Sequence, residues 1–255
     1  MGFGNFSSLP GETDMVLRNV NTGGVEVYDI NNNQITGASF MGTVGLDWQV
    51  GGFGNFSSRG TSDMVLRNAK TGGLEVYDID SNQITGAAFM GTVGLDWQII
   101  GTGNFSSMPG ETDLMMRNTK TGGLEVYDID SNQITGAAFM GTVGLDWQII
   151  GTGNFSSMPG ETGVMMRNTR TGAFEVYDIA NNQITAAASL GQVGLDWQVG
   201  GFATSNASMG GSSQAAQLVQ AMASFGGGGA AESMNTAALG ADTSQQPLLT
   251  APQHA

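Results

Sequence analysis

The sequence predicts an all-β fold, namely a β-propeller of about four four-stranded antiparallel blades, followed by a flexible C-terminal tail with one short helix. The first observation is that Leu-Asp-Trp-Gln recurs with its tryptophans 49, 50 and 50 residues apart, at Trp48, Trp97, Trp147 and Trp197. The second is that each unit holds four short apolar or β-branched runs, separated by Gly, Pro, Asn, Asp or Ser. Units of this length with four strands each are typical of propeller blades.

The unit that follows Trp97 shows how each strand is predicted. Its four runs are Trp97–Phe105, Asp113–Asn118, Leu124–Ile129 and Gln133–Met140. The last three are joined by Thr121-Gly122-Gly123 and Asp130-Ser131-Asn132, whose residues tolerate the positive φ angles of tight hairpins. The third run places apolar side chains on both faces of the strand. This pattern suits a blade that is covered by a neighbouring blade on each side.

The two ends of the repeat region predict how the first blade is completed. Residues 1–6 match the end of a first strand, whereas residues 197–203 match its beginning. We therefore expect a propeller domain over residues 1–203, in which strand 196–202 completes the first blade and covers its edge. A closed ring of four blades is the favoured arrangement, and an open arc completed by a second chain is the alternative.

Residues 204–255 form a segment of different composition, rich in Ala, Gly, Ser and Gln. Most of this segment is predicted to be a flexible tail, because it has too little apolar surface to order itself. A short helix is predicted within 213–225, where Ala215, Leu218, Val219 and Met222 follow helical spacing behind Ser213.

The charge balance bears on the partners. With 22 acidic and 8 basic side chains, the chain has a formal charge of −14. Such a charge opposes the binding of nucleic acid or an anionic membrane surface, so neither partner is expected. No apolar stretch is long enough to insert into a membrane, and the first residues do not resemble a Sec signal peptide. The chain contains no cysteine, which excludes cysteine redox chemistry.

One loop resembles a known ligand site. The stretch GFGNFSSRGTSDMVLRN at residues 52–68 resembles the FG-GAP/VCBS type of bacterial repeat, a β-propeller family whose aspartate-rich loops bind calcium. The resemblance covers roughly residues 1–203 and places the calcium ligands at Asn55, Ser57, Arg59 and Asp63. Only Asp63 keeps the carboxylate, and Arg59 brings a positive charge to a cation site. We therefore expect no metal site and no cofactor, with weak millimolar calcium binding as the alternative.

Other polar residues have structural explanations. His254 is the only histidine, so a Ser-His-Asp triad has no framework. The recurring Glu26 and Asp47 occupy equivalent environments, and this argues against an acid and base of different pKa. Arginines at the ends of the second strands are expected to be ion-paired struts between blades, and the repeated tryptophans to be buried. These arginines are Arg18, Arg67, Arg117 and Arg167.

The expected function is therefore a non-catalytic binding or adhesion module, or a scaffold, of a bacterial protein that is secreted or lies on the cell surface. No catalytic residue is assigned. The expected partner is an unidentified protein or glycan, and self-association through blade edges is a further expectation. The alternatives are a lectin-like propeller, which exposed tryptophans would favour, and a non-catalytic part of a larger secreted protein.

Overall fold

The structure is a computed structural model that describes residues 2–9 and 12–200. These residues lie in one compact unit that extends over Met1–Thr204. The predicted tail at 204–255, with its helix at 213–225 and His254, lies outside the described residues. Within the described part of the chain, no helix is long and apolar enough to cross a membrane.

The chain forms the four blades of a β-propeller, each an antiparallel sheet of four strands in sequence order. Blade 1 contains β1 (Gly2–Gly4), β2 (Asp14–Arg18), β3 (Gly24–Asn31) and β4 (Gln34–Thr43). Blade 2 contains β5 (Trp48–Gly54), β6 (Asp63–Asn68), β7 (Gly73–Asp80) and β8 (Gln83–Thr92). Blade 3 contains β9 (Trp97–Gly103), β10 (Asp113–Asn118), β11 (Gly123–Asp130) and β12 (Gln133–Thr142). Blade 4 contains β13 (Trp147–Gly153), β14 (Thr162–Asn168), β15 (Ala173–Ala180) and β16 (Gln183–Gln192). The predicted fold class is confirmed.

The hairpins use the turn residues that the sequence indicates. In blade 3, Gly122 has a φ of 77°, and Ser131 and Asn132 have φ angles of 50° and 62°. The equivalent turns of the other blades repeat these angles closely. Ser and Asn let the chain reverse within two residues between the third and fourth strands, and Gly closes the longer turn between the second and third strands, so the strands stay in the same register in every blade.

Apolar side chains from neighbouring blades form the core. Each blade has a following face, which packs against the next blade, and a preceding face, which packs against the blade before it. The cluster between blades 1 and 2 joins Phe6, Val16, Val25, Val27, Met41 and Val44 to Met64, Leu66 and Ile79. Similar clusters join blade 2 to blade 3 and blade 3 to blade 4. Among the described residues, no such cluster joins blade 4 to blade 1.

The predicted completion of blade 1 by strand 196–202 is not formed within the described residues. Residues 197–200 form no strand, and residues 201 and 202 lie outside the described part. A surface cavity at blade 4 is lined by Gln198 and Val199 together with Gln148 and Arg167, so this segment lies beside blade 4. The sharing of a strand with blade 1 therefore stays a prediction, and a second copy of the chain is considered for it below.

Candidate functional site

The loops that resemble calcium loops are held by a buried aspartate. The Asp113 carboxylate accepts backbone N–H bonds from Phe105 and Ser106, both at 2.7 Å, and another from Ile129 at 3.4 Å. Asp14 and Asp63 accept backbone N–H bonds in the same loop of their own blades. All three aspartates are fully buried. Each carboxylate thus holds its loop by accepting hydrogen bonds from backbone N–H groups. In a calcium loop, the bound cation would hold the loop through oxygen ligands instead.

Two of the other side chains at the calcium positions, Asn55 and Arg59, already have protein partners. The Asn55 Oδ1 accepts the Gly60 N–H at 2.8 Å, while its amide nitrogen donates to the carbonyl of Gly110 in the next blade. Arg59 lies 3.6 Å from the Asp78 carboxylate, so a cationic side chain already lies beside that carboxylate. Within residues 2–9 and 12–200, no three acidic or histidine side chains form a group that could hold a metal ion.

Adjacent blades are joined by a hydrogen-bonded latch at the hairpin between their third and fourth strands. The Asn82 side chain of blade 2 donates to the Asp29 carboxylate of blade 1 at 2.7 Å, and the Asn82 N–H donates to the carbonyl of Phe6. The pairs Asn132 with Asp78 and Asn182 with Asp128 repeat the latch between the later blades. The left-handed φ of these asparagines, near 60°, aims the side chain at the preceding blade.

The recurring arginines connect blades, but not through ion pairs. Arg117 donates to the carbonyl of Gly144 at 2.8 Å, in the loop that leads to the next blade. Arg18, Arg67 and Arg167 bind the corresponding carbonyls. The expectation of ion pairs is therefore wrong. These arginines connect blades through hydrogen bonds to carbonyl groups, because the loop presents backbone oxygens at this position. Of the recurring aspartates, Asp47 and Asp96 pair with Lys70 and Lys120 at the surface.

Two aromatic rings lie side by side on the preceding face of blades 2 and 3, and the surface that they form over a glycine is called the aromatic groove below. A Cβ built on Gly73 would lie 3.3 Å from Phe89 Cε2 and 3.6 Å from Trp48 Cη2, so the two rings meet over this glycine. In blade 3, Phe139 and Trp97 meet over Gly123 in the same way. Phe89 and Phe139 are each 64% exposed, and both tryptophans are half-buried. The repeated tryptophans are therefore less buried than expected, because the phenylalanine rings beside them are themselves largely exposed.

A carboxylate and a phenol lie beside the two rings. Glu75 is the cross-strand partner of Phe89, and Glu125 is that of Phe139. The Tyr77 and Tyr127 hydroxyls donate to these glutamates, at 3.3 Å and 2.8 Å. Burial, together with the Glu125 carboxylate that accepts its hydrogen bond, raises the pKa of Tyr127 to about 12. Each groove therefore combines two apolar rings with a fixed acceptor and a neutral phenol.

Blade 4 departs from this pattern at two positions together. Blade 4 has Ala173 where the other blades have glycine. It also has Ser189, the cross-strand partner of Glu175, where the other blades have phenylalanine. In the other blades the phenylalanine ring is the nearest group to a Cβ built at the glycine position, so its absence leaves room for the Ala173 methyl group. Sequence reasoning missed the groove, although this paired change among otherwise similar units is the signal that could have revealed it.

The raised pKa of Tyr127 makes a prediction for alkaline solution. Its folded pKa of about 12 exceeds the unfolded value near 10, so its contribution to stability is complete below pH 10 and is lost as the pH rises through 12. We expect near-ultraviolet absorbance to show phenolate forming above the ordinary range. In Glu125→Gln the midpoint should fall but stay raised, because burial remains. Titration of all tyrosines at their ordinary value in the folded protein would contradict the assignment.

No family model matches the chain, and no curated protein matches it. The resemblance to FG-GAP/VCBS repeats therefore stays a prediction. Among solved structures, dihydro-heme d1 dehydrogenase NirN in complex with DHE is similar, with a TM-score of 0.40 and 12% sequence identity. The match covers 70% of this chain and 35% of that chain. A likeness at this level carries no inference about activity.

Proposed function

We propose that this chain is a non-catalytic binding module of a bacterial secreted or surface protein, which takes its ligand in the aromatic grooves of blades 2 and 3. The observation that carries the proposal is the recurrence of the same groove, built over Gly73 in blade 2 and over Gly123 in blade 3. Exposed aromatic rings beside a few fixed polar groups are typical of binding sites. The half-buried tryptophan holds one wall of each groove in place.

Repetition supports adhesion rather than tight capture of a single molecule. Equivalent grooves on adjacent blades can engage two units of a repetitive ligand. The second contact then forms at a high effective concentration and raises the apparent affinity by a factor of about 10² to 10⁴. Weak individual sites are therefore enough for retention on a repetitive surface.

A carbohydrate is a second, more specific candidate ligand. The rings of Trp48 and Phe89 offer an apolar platform, while Glu75 offers acceptor oxygens for hydroxyl groups. This combination favours a lectin-like function. An extended glycan would present the same unit to both grooves.

The test is binding of the purified chain to an array of printed glycans and peptides, followed by tryptophan fluorescence titration with any ligand found. We expect Phe89→Ala with Phe139→Ala to lower the apparent affinity at least about 100-fold, since both grooves lose a wall. Each single variant should lose most of the multivalent gain. Unchanged binding by the double variant would exclude the grooves as the site.

Blade 4 provides a matched gain-of-function control. Ala173→Gly with Ser189→Phe restores the two groove residues that blade 4 lacks, beside the existing Trp147. We expect this variant to bind a multivalent ligand more tightly than the natural chain does. Ser189→Phe alone should gain less, because a Cβ at the glycine position lies 3.2 to 3.3 Å from the ring in the other blades, so the Ala173 methyl group must push the ring slightly aside.

A further inference from the structure

The two outer faces of the blade array carry the same kinds of apolar residue as the interfaces between blades, but these residues are more exposed. On the preceding face of blade 1, Leu17 is 41% exposed, whereas the equivalent Leu66 and Met116 are fully buried against the blade before them. Phe3 and Ile35 are exposed on the same face. Blade 1 thus presents to solvent the residue types that form the core elsewhere.

Apolar residues on the following face of blade 4 are also less buried than their equivalents in the inner blades. Met165 is half-buried, whereas the equivalent Val65 and Met115 are fully buried by the next blade. Phe174 is also half-buried, although Leu74 at its position in blade 2 is fully buried. The following face of blade 4 therefore also exposes apolar side chains at the positions that contact the next blade elsewhere in the array.

The two outer blades each carry one of the two residues that form a latch between neighbouring blades. Asp178 occupies the position at which Asp29, Asp78 and Asp128 accept an asparagine from the next blade, and its Oδ1 is buried with no hydrogen-bond partner among the described residues. The equivalent asparagine of blade 1 is Asn33, on an exposed hairpin with a φ of 61°. Asn33 therefore has the conformation that its counterparts use to reach the preceding blade.

The innermost strands complete the pattern. Strand β1 is described over Gly2–Gly4, so Leu17 and Arg18 have no partner on that side among the described residues. A cavity of about 320 Å³ lies there, lined in part by Leu17, Gly24 and Phe40. In blade 2, the same place is filled by Trp48, Gln49 and Val50 of β5.

The same sequence as this filling strand occurs at the other end of the array. Trp197-Gln198-Val199 repeats Trp48-Gln49-Val50, yet it forms no strand. Trp197 is 68% exposed. Arg167 binds the carbonyl of Gly194 as Arg18 and Arg117 bind those of Gly45 and Gly144. It also binds the carbonyl of Trp197, a contact without a counterpart at the other three tryptophans among the described residues. The segment therefore has the sequence of a first strand and follows blade 4 in the chain, but it does not pair as one.

We infer that two copies of this chain join head to tail, each placing its blade 4 and its Trp197–Gly200 segment on blade 1 of the other. The segment pairs with β2, Trp197 covers Gly24 and Phe40, and Asn33 binds Asp178 across the interface. Since the two contacts are identical, the pair closes with two-fold symmetry. The ring then contains eight blades, within the range of known propellers.

The test is the mass of the full chain in solution, measured by light scattering and sedimentation across a range of concentrations. A two-copy particle with a tryptophan emission maximum shifted to the blue is the expected result. Leu17→Glu should raise the dissociation constant at least about 100-fold, because it buries an unpaired charge in the interface. Leu95→Glu is the matched control, since Leu95 is an exposed leucine in a loop of an inner blade.

Paired substitutions in the latch test the interface, because a second substitution should restore the pairing of copies that the first one abolishes. A variant that is merely unstable could not show such a rescue. Asn33→Asp sets two carboxylates against each other and should yield separate copies with unchanged circular dichroism. Adding Asp178→Asn restores an amide and a carboxylate in the reverse order and should restore the pair. Three results would overturn the inference: a single copy at every concentration, with or without a buried Trp197; a pair that tolerates both Leu17→Glu and Asn33→Asp; or a mass that keeps growing with concentration.

Discussion

Gly122→Ala is expected to lower the free energy of unfolding by about 3 kcal/mol or more, a large loss for a single change. Gly122 has a φ of 77°, which costs an L-residue about 1 to 2 kcal/mol. In addition, a Cβ there would lie 2.0 Å from the Val143 carbonyl oxygen, so the backbone must move. That movement strains the bond from the Val143 N–H to the Gly122 carbonyl. Urea denaturation monitored by circular dichroism measures the loss.

Gly110→Ala separates the two causes. Gly110 has a φ of 84°, but a Cβ there would meet no atom within 4 Å. Its substitution should cost only the conformational part, about 1 kcal/mol. Equal losses for the two variants would show that the contact with Val143 is relieved at little cost.

Asp113→Ala is expected to destabilise the chain by about 2 to 4 kcal/mol, because it leaves the buried N–H groups of Phe105 and Ser106 without an acceptor. Asp113→Asn should lose less, since an amide oxygen can accept one or both bonds. Thermal and urea unfolding of the two variants beside the natural chain give the comparison.

The dependence of this loss on pH has a definite sign. Burial raises the pKa of Asp113 above its ordinary value, with the Asp128 charge a smaller cause, against the backbone bonds from Ser106 and Ile129 that lower it. The folded state therefore binds the proton more tightly than the unfolded state, so this group stabilises the fold more as the pH falls through its folded pKa. The difference between the natural chain and Asp113→Ala should widen in acid. A difference that shrinks there would mean that the carboxylate is stabilised by its hydrogen bonds more than burial penalises it.

The contacts within one blade could be predicted from the sequence, whereas the contacts between blades could not. The strands and hairpins follow from local patterns such as Gly122 and Asp130-Ser131-Asn132, which act over a few residues. The latch from Asn82 to Asp29 joins residues 53 apart, about one repeat. Because nearly identical strings recur at that spacing, the sequence does not reveal whether a side chain contacts its own unit or the next one.

The same difficulty explains the errors at the candidate site. The arginines were expected to meet carboxylates, but the loop that reaches them from the next blade presents carbonyls, as Gly144 does to Arg117. The tryptophans were expected to be buried, but the surroundings of Trp48 depend on Phe89, which is three strands away in the blade. That loop positions such as Asn55 and Arg59 are poor calcium ligands stays a prediction, which depends on side-chain chemistry alone.

The latches between Asn82 and Asp29, Asn132 and Asp78, and Asn182 and Asp128 each reach one neighbouring blade. Such a chain obeys a nearest-neighbour law, in which total stability is the sum of equal blade terms and equal contact terms. In a separated single copy, unfolding then begins at an outer blade, which has one contact to lose where an inner blade has two. Duplication of a unit within the gene would add one blade term and one contact term to such a copy without disturbing the contacts already present.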